Sequence, residues 1–206
     1  MAKYKAESKA KRELREQHRQ EERRKRVLTW GGLGLLGLVL VGGLIWFFAS
    51  TAGAAAAATG EIIPVTSRDH VPDSSDPGPY STNPPAEGQH FLQTFNPGFY
   101  TPEDVAKMPR YPEGYLVHNL EHGYIIYWYN CAADPNINCA NIQNAIKQVI
   151  QEKNSFKVIG FPWPSQEEPL VMTSWGRILR QDRVNLRIMR AFYDANVNKG
   201  PEITPN

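Results

Sequence analysis

The sequence predicts an α+β fold: a small sheet of β-α-β-β-α order in the C-terminal half, a loop-rich N-terminal half, and one transmembrane helix in front. Three observations predict it. Residues 28–49 carry no charge; turn formers crowd the forty residues after Tyr80; and from Tyr124 onward, β-branched and aromatic runs alternate with segments of helical apolar spacing.

The N-terminal segment is read first. The 22 positions from Leu28 to Ala49 make a helix of about 33 Å at 1.5 Å per residue, enough to span a hydrocarbon core. Residues 1–27 form a basic head, whose first 26 positions hold eleven Lys and Arg against five Glu and end in Arg23, Arg24, Lys25 and Arg26. The positive-inside rule keeps this end cytoplasmic and exports the rest. The head mixes Glu with Lys and Arg at helical separations, so it extends the membrane helix, and its charge attracts anionic headgroups. A cleaved signal peptide is the rival reading, with Ala52 to Ala58 as the cleavage region. The long charged head and the long apolar run fit an uncleaved signal anchor better.

The chain after Ala49 has twelve basic and sixteen acidic side chains, so the net charge of +2 sums a basic head and a mildly acidic body. That balance describes topology and gives no reason to expect a nucleic-acid partner. Residues 50–79 are rich in Ala, Pro, Ser and Asp without sustained apolar periodicity and read as a flexible linker. Residues 80–198 are read as the globular domain, and residues 199–206 as a tail.

Within the domain, Asn83-Pro84-Pro85, Asn96-Pro97-Gly98 and Tyr111-Pro112-Glu113-Gly114 mark turns. Tyr124 to Tyr129 reads as a buried strand. Asn141 to Lys153 is a helix with Ile142, Ala145, Ile146, Val149 and Ile150 on one face, and Phe156 to Phe161 is the next strand. A right-handed crossover makes these two strands parallel neighbours. Pro169 to Leu179 reads as a third strand, and Asp182 to Val197 as a closing helix with Val184, Ile188, Ala191, Phe192 and Ala195 inward.

Cys131 and Cys139 both lie in the exported part, where thiols are usually oxidised, and their spacing is not that of a CxxC redox motif. A disulfide is expected, stabilising the fold by about 2.5 kcal/mol in the chain-entropy model.

The chemically distinctive stretch is Val117-His118-Asn119-Leu120-Glu121-His122-Gly123. If helix covers it, His118 and His122 project from one face with Glu121 beside them; if it is extended, they lie about 13 Å apart and cannot share an ion. Gly123 is a plausible helix stop and favours the helical alternative. His90, on a preceding loop, can supply a third nitrogen. Three imidazoles with a carboxylate suit zinc, and imidazoles with the soft Met172 suit copper. His-x-x-Glu-His is also the inverted zinc-peptidase signature, which would make Glu121 a general base on a metal-bound water. The plainer alternative is a hydrogen-bonded His and Glu network with no ion. Of the other histidines, His18 falls in the head and His70 in the linker.

Aromatic residues are numerous enough to line a cleft as well as a core. Arg180, Arg183, Arg187 and Arg190 are spaced to share one side of the last helix; a solvated face paired with nearby carboxylates is the first reading, and a surface for anionic lipid, envelope polymer or an acidic partner the second.

Taken together, Tyr80, Pro84-Pro85 leading to Gly88 and His90, Gly98, Tyr100, the segment from Leu116 to Gly123, Tyr129 and Trp175-Gly176-Arg177 resemble the domain-of-unknown-function family 3105, over roughly Tyr80 to Phe192. The resemblance implies a membrane-anchored bacterial protein of no assigned activity. The family usually has a small polar residue before its first glycine. Glu87 stands there in this chain, adding a carboxylate to the loop.

The expectation is therefore a single-pass protein of a bacterial cell membrane, N-terminus cytoplasmic. Its extracytoplasmic domain binds one copper or zinc ion through His90, His118, His122 and Glu121, with Met172 as a weaker candidate. A non-enzymatic interaction module with a membrane or envelope protein partner is the alternative, and a metal-dependent hydrolase the third.

Overall fold

The computed structural model describes residues 19, 21–26, 28–46, 59–73, 75–202 and 204. The chain divides into two units, Met1–Gly53 and Ala54–Asn206.

The first unit is the helix α1 (Glu21–Trp46), whose most apolar window has a mean hydropathy of 2.0 with no residue buried. By length and composition it can cross a membrane, a character that a signal sequence shares. Most of the basic head, the last three positions of the expected span and residues 50–58 of the expected linker lie outside the described residues.

The second unit contains, in chain order, β1 (Glu61–Ile62), β2 (Gly98–Phe99), α2 (Pro102–Val105), α3 (Pro112–Glu121), β3 (Ile125–Tyr129), α4 (Cys139–Glu152), β4 (Val158–Pro162), β5 (Leu170–Ser174), β6 (Arg177–Gln181) and α5 (Leu186–Asn196). The strands form one sheet in the order β1-β6-β5-β3-β4-β2. β3 and β4 are parallel and joined through α4, as a crossover requires, whereas β3–β5 and β5–β6 are antiparallel. The fold class is the mixed α+β expected.

Every residue of β3, β4 and β5 is buried, because both faces of the sheet are covered. On one face α4 and α5 pack over Ile125, Tyr127, Val158, Leu170 and Met172. On the other, Leu116 and Leu120 of α3 join Ile126, Trp128, Ile159, Phe161 and Val171. Adjacent residues of one strand serve opposite faces, the period-two alternation of a pleated strand.

α4 buries the five residues its spacing selects, Ile142, Ala145, Ile146, Val149 and Ile150. Its first residue, Cys139, is disulfide-bonded to Cys131 with a Cα separation of 5.1 Å. The bond suits an oxidising compartment outside the cytoplasm.

Three details differ from expectation. The span from Pro169 to Leu179 is a hairpin of β5 and β6, turned at Trp175-Gly176, because Gly176 takes φ +65°. α5 turns part of the way from the expected face: it fully buries Met189, Phe192, Tyr193 and Asn196, while the expected Val184 and Ile188 pack against the same core partly buried. The supposed linker is structure from residue 59 onward. β1 pairs with β6, Ile63 is buried and donates its N–H to the Gly176 carbonyl at 2.8 Å, and Asn196 Nδ2 reaches the Thr59 carbonyl at 3.2 Å. This stretch lacks apolar periodicity because polar and backbone hydrogen bonds, more than an apolar face, fasten it.

Candidate metal centre

The segment His118 to Gly123 is helical to Glu121, so α3 is a ten-residue helix and not a single turn. Pro112 sits in its first turn, where a missing N–H costs nothing. At the other end, the N–H of Gly123 bonds to Leu120 O at 2.9 Å and that of Tyr124 to Asn119 O at 3.0 Å. These two bonds make a Schellman cap, with Gly123 at φ +81° in the left-handed position.

Each residue of the motif then has its own direction. Leu120 enters the core. Asn119 faces the loop before β2, accepting from the Phe95 N–H and donating to the Phe95 carbonyl, both at 2.9 Å. His118 and His122, one turn apart, lie with ring centroids 4.3 Å apart. Glu121 turns toward His90.

His90 is brought over α3 by its neighbours. Phe91 donates its N–H to the Gly114 carbonyl at 3.2 Å, and a Cβ at Gly114 would lie within 2.5 Å of the Phe91 ring. Only a glycine lets the loop come this close. From the other side, residues 69–71 form a parallel bridge with His90: Val71 N–H to His90 O at 2.8 Å and His90 N–H to Asp69 O at 3.2 Å. That bridge carries His70 into the site. The His70 ring stands 4.6 Å from that of His90 and 5.0 Å from that of His118.

His70, His90, His118 and Glu121 each offer a ligand atom, all within 4.8 Å of one another. His70 is exposed and the other three are buried. A tetrahedral ion with bonds of about 2.1 Å needs its ligand atoms about 3.4 Å apart, so closing on it takes shifts of under about 1 Å per group. A second group, His118, His122 and Glu202, meets the same 4.8 Å limit. Among the described residues, no such group holds both His90 and His122, so the expected trio of His90, His118 and His122 does not converge on one point. His70, assigned by sequence to the linker, stands where His122 was expected.

The hydrogen bonds orient the donors. His90 Nδ1 lies 2.8 Å from the Gly88 carbonyl and therefore carries hydrogen, since a carbonyl only accepts. Its Nε2 faces Glu121 Oε2 at 2.8 Å. That contact is a buried imidazole–carboxylate hydrogen bond between two residues of the group that could hold a metal ion. Glu121 Oε1 takes Arg68 Nε at 3.2 Å. His118 Nδ1 points at the Gln93 carbonyl at 3.3 Å. Burial, then the rings of His122, His90 and His70, hold the His118 imidazole down to about 4 against the pull of the Gln93 carbonyl. It is neutral at physiological pH, the form that binds metal.

The family described as "Protein of unknown function (DUF3105)" matches residues 72–206, well over half of the chain and all of the site but His70 and Arg68. The chain belongs to the DUF3105 family. No curated protein and no solved structure matches it.

Three sequence candidates of this DUF3105 chain fall elsewhere. Met172 is fully buried on the α4/α5 face beside Tyr127 and Leu170, because strand alternation turns it away from α3. Glu87 adds no carboxylate to the His group. Its side chain accepts from Thr66 N–H at 2.6 Å, Thr66 Oγ1 at 2.7 Å and Ser81 Oγ at 2.6 Å, tying residues 59–79 to the loop. Burial pushes the Glu87 carboxyl upward, but those hydrogen bonds outweigh it and hold the group below the usual carboxylate range. The arginine stripe is divided between elements. Arg180 is on β6, paired with Glu168 at 3.1 Å; Arg190 is on α5, paired with Glu152 at 2.7 Å; Arg183 and Arg187 are exposed.

Sequence reasoning missed three further residues. Arg68 and His70 lay in a stretch without apolar pattern, and Glu202 in a supposed tail. The tail docks because Lys157, buried and pushed down by desolvation, donates its ammonium to His122 O at 3.0 Å, Asn198 Oδ1 at 2.7 Å and Thr204 O at 2.7 Å. It thereby gathers the end of α3, Asn198 and Thr204 around one charge.

Proposed function

We propose that this DUF3105 protein is a single-pass membrane protein whose extracytoplasmic domain holds one divalent transition-metal ion, zinc by the chemistry of its donors, through His70, His90, His118 and Glu121. The observation that carries the reading is the convergence of His70, His90, His118 and Glu121, whose ligand atoms all lie within 4.8 Å of one another with three of the four residues buried and His118 held neutral. Three nitrogens and one oxygen fit a closed tetrahedral zinc site, and they also fit copper(II); with Met172 on the other face, the thioether argument for copper falls away.

Four protein ligands leave no open position, so the ion is a structural staple more than a catalyst. It ties the segment around His70 to the His90 loop and to α3, regions with little regular structure between them. The hydrolase alternative needs Glu121 free to accept a proton from water, whereas its two oxygens face His90 and Arg68. The apolar α1, the basic residues before it and the disulfide support the orientation with this domain outside the cytoplasm.

Metal analysis of the full-length chain in detergent, equilibrated with zinc and separately with copper(II), tests the proposal. The expected result is about one ion per chain in the wild type and none retained in His90→Ala or His118→Ala. A wild type without stoichiometric metal sinks it.

A further inference from the structure

We infer that His118, His122 and Glu202 form an outer metal position through which a zinc-class divalent ion reaches the inner set, with His118 handing the ion from one to the other. The inference rests on the inner-site reading above.

The two groups share His118, and each holds its ligand atoms within 4.8 Å. His118 Nδ1 is turned to the Gln93 carbonyl, which leaves Nε2 as its lone-pair nitrogen. One lone pair serves one ion, so the two positions are filled in turn and not together.

Their exposure is graded. The side chains of His90 and Glu121 are 0% and 2% exposed, those of His122 and Glu202 17% and 52%. Of the inner set only His70 is exposed, so an ion arriving from water reaches the buried His90 and Glu121 either past His70 or by way of the outer pair. There a carboxylate and an imidazole replace part of its hydration before it enters the buried set.

The outer position is also built to stay in place. His122 caps α3, and its Nε2 stands 3.5 Å from Glu202 Oε2. Glu202 lies in no helix or strand, yet its N–H bonds to the Glu121 carbonyl at 3.1 Å, Asn198 N–H bonds to the Gly123 carbonyl at 2.9 Å, and the Lys157 ammonium clamps both sides. The backbone that carries Glu202 is thus tied to the inner ligand Glu121 itself, fixing the spacing between the two positions.

The test is a chelator race on the full-length, zinc-loaded chain in detergent, following zinc release to a colorimetric chelator by stopped flow, with stoichiometry measured in parallel. Glu202→Gln and His122→Ala are expected to keep one zinc per chain while releasing it about tenfold more slowly, the scale on which partners of metal ligands act. His70→Ala, which removes an inner ligand, is expected to release faster, the opposite sign. If His122→Ala misfolds by circular dichroism, the exposed Glu202→Gln carries the test. Two zinc ions per wild-type chain, or an unchanged release rate in Glu202→Gln, overturns the inference and leaves the inner site standing. No zinc in any variant overturns both.

Discussion

One face of the sheet is sealed by the amphipathic helices α4 and α5, the other by α3 and the loops of residues 59–100. On the first face the contacts are apolar and periodic: Ile146 and Val149 of α4 and Met189 and Phe192 of α5 meet Tyr127, Leu170 and Met172. On the second, apolar contact is supplemented by polar fasteners at unrelated sequence separations. Asn119 holds Phe95, Glu87 holds Thr66 and Ser81, and His90 holds Glu121. The first face is held mainly by shape and hydrophobicity, with the Tyr127 hydroxyl donating to the Met189 carbonyl at 2.9 Å as a polar tie within it. The second brackets a buried His and Glu group with the very bonds that keep its loops closed, so its stability and its chemistry are not separable.

The largest expected effect breaks the first face alone. Phe192→Ala should cost about 3–5 kcal/mol in chemical denaturation, with the same loss measured in zinc and in chelator, since Phe192 belongs to the core cluster on the α4/α5 face. A loss that depends on zinc would mean that the two faces are coupled through the sheet.

On the second face, Asn119→Ala should cost about 1–3 kcal/mol in chelator, because the Phe95 N–H and carbonyl lose their partner. It should also weaken zinc binding by isothermal titration about 10-fold or more, since the same loop carries the Gln93 carbonyl that orients His118. Stability lost with affinity unchanged would separate the fastener from the site.

A smaller and pH-dependent effect distinguishes the faces further. The Glu87 carboxyl is held below its ordinary range by Thr66 and Ser81. Its contribution is therefore present above the unfolded carboxylate pKa and is lost as pH falls through the lowered folded value. Glu87→Gln should be less stable than the wild type at neutral pH, and the gap should close as acid protonates the wild-type carboxylate; thermal melts across pH 3–7, read as about 3 to 7 on the usual carboxylate window, follow it. A gap that widens in acid would reverse the sign assigned to these hydrogen bonds.

Legibility follows the same division. The helix from Asn141 to Lys153 was readable to the residue on its buried face because it repeats one apolar period over several turns, and β3 and β4 to within two residues because each is a short run rich in β-branched and aromatic residues. α5 was located and its face read in part: Val184, Ile188 and Phe192 pack against the core, but Asn196 and Tyr193 are buried with polar tips that apolar spacing does not count, reaching Phe192 O, Thr59 O and Phe156 O. At the site, His118 and Glu121 were legible from their spacing on one helix, and His90 from its loop. The loss of Met172 follows from strand parity, which the sequence leaves open until the sheet has a register.

What the sequence by itself determined are the local quantities: an apolar helix long enough to cross a membrane, the charge asymmetry around it, the amphipathic face of α4, the cysteine pair, and a motif with two imidazoles and a carboxylate on one turn. Only the tertiary structure decided which residues complete that motif. His70 arrives through a backbone bridge to His90, Glu202 through its N–H bond to the Glu121 carbonyl, and His122 turns outward to Glu202. The physical reason is that these contacts join positions separated by twenty to eighty residues through one or two polar contacts each. Such contacts are directional and specific, but they leave no period in the sequence.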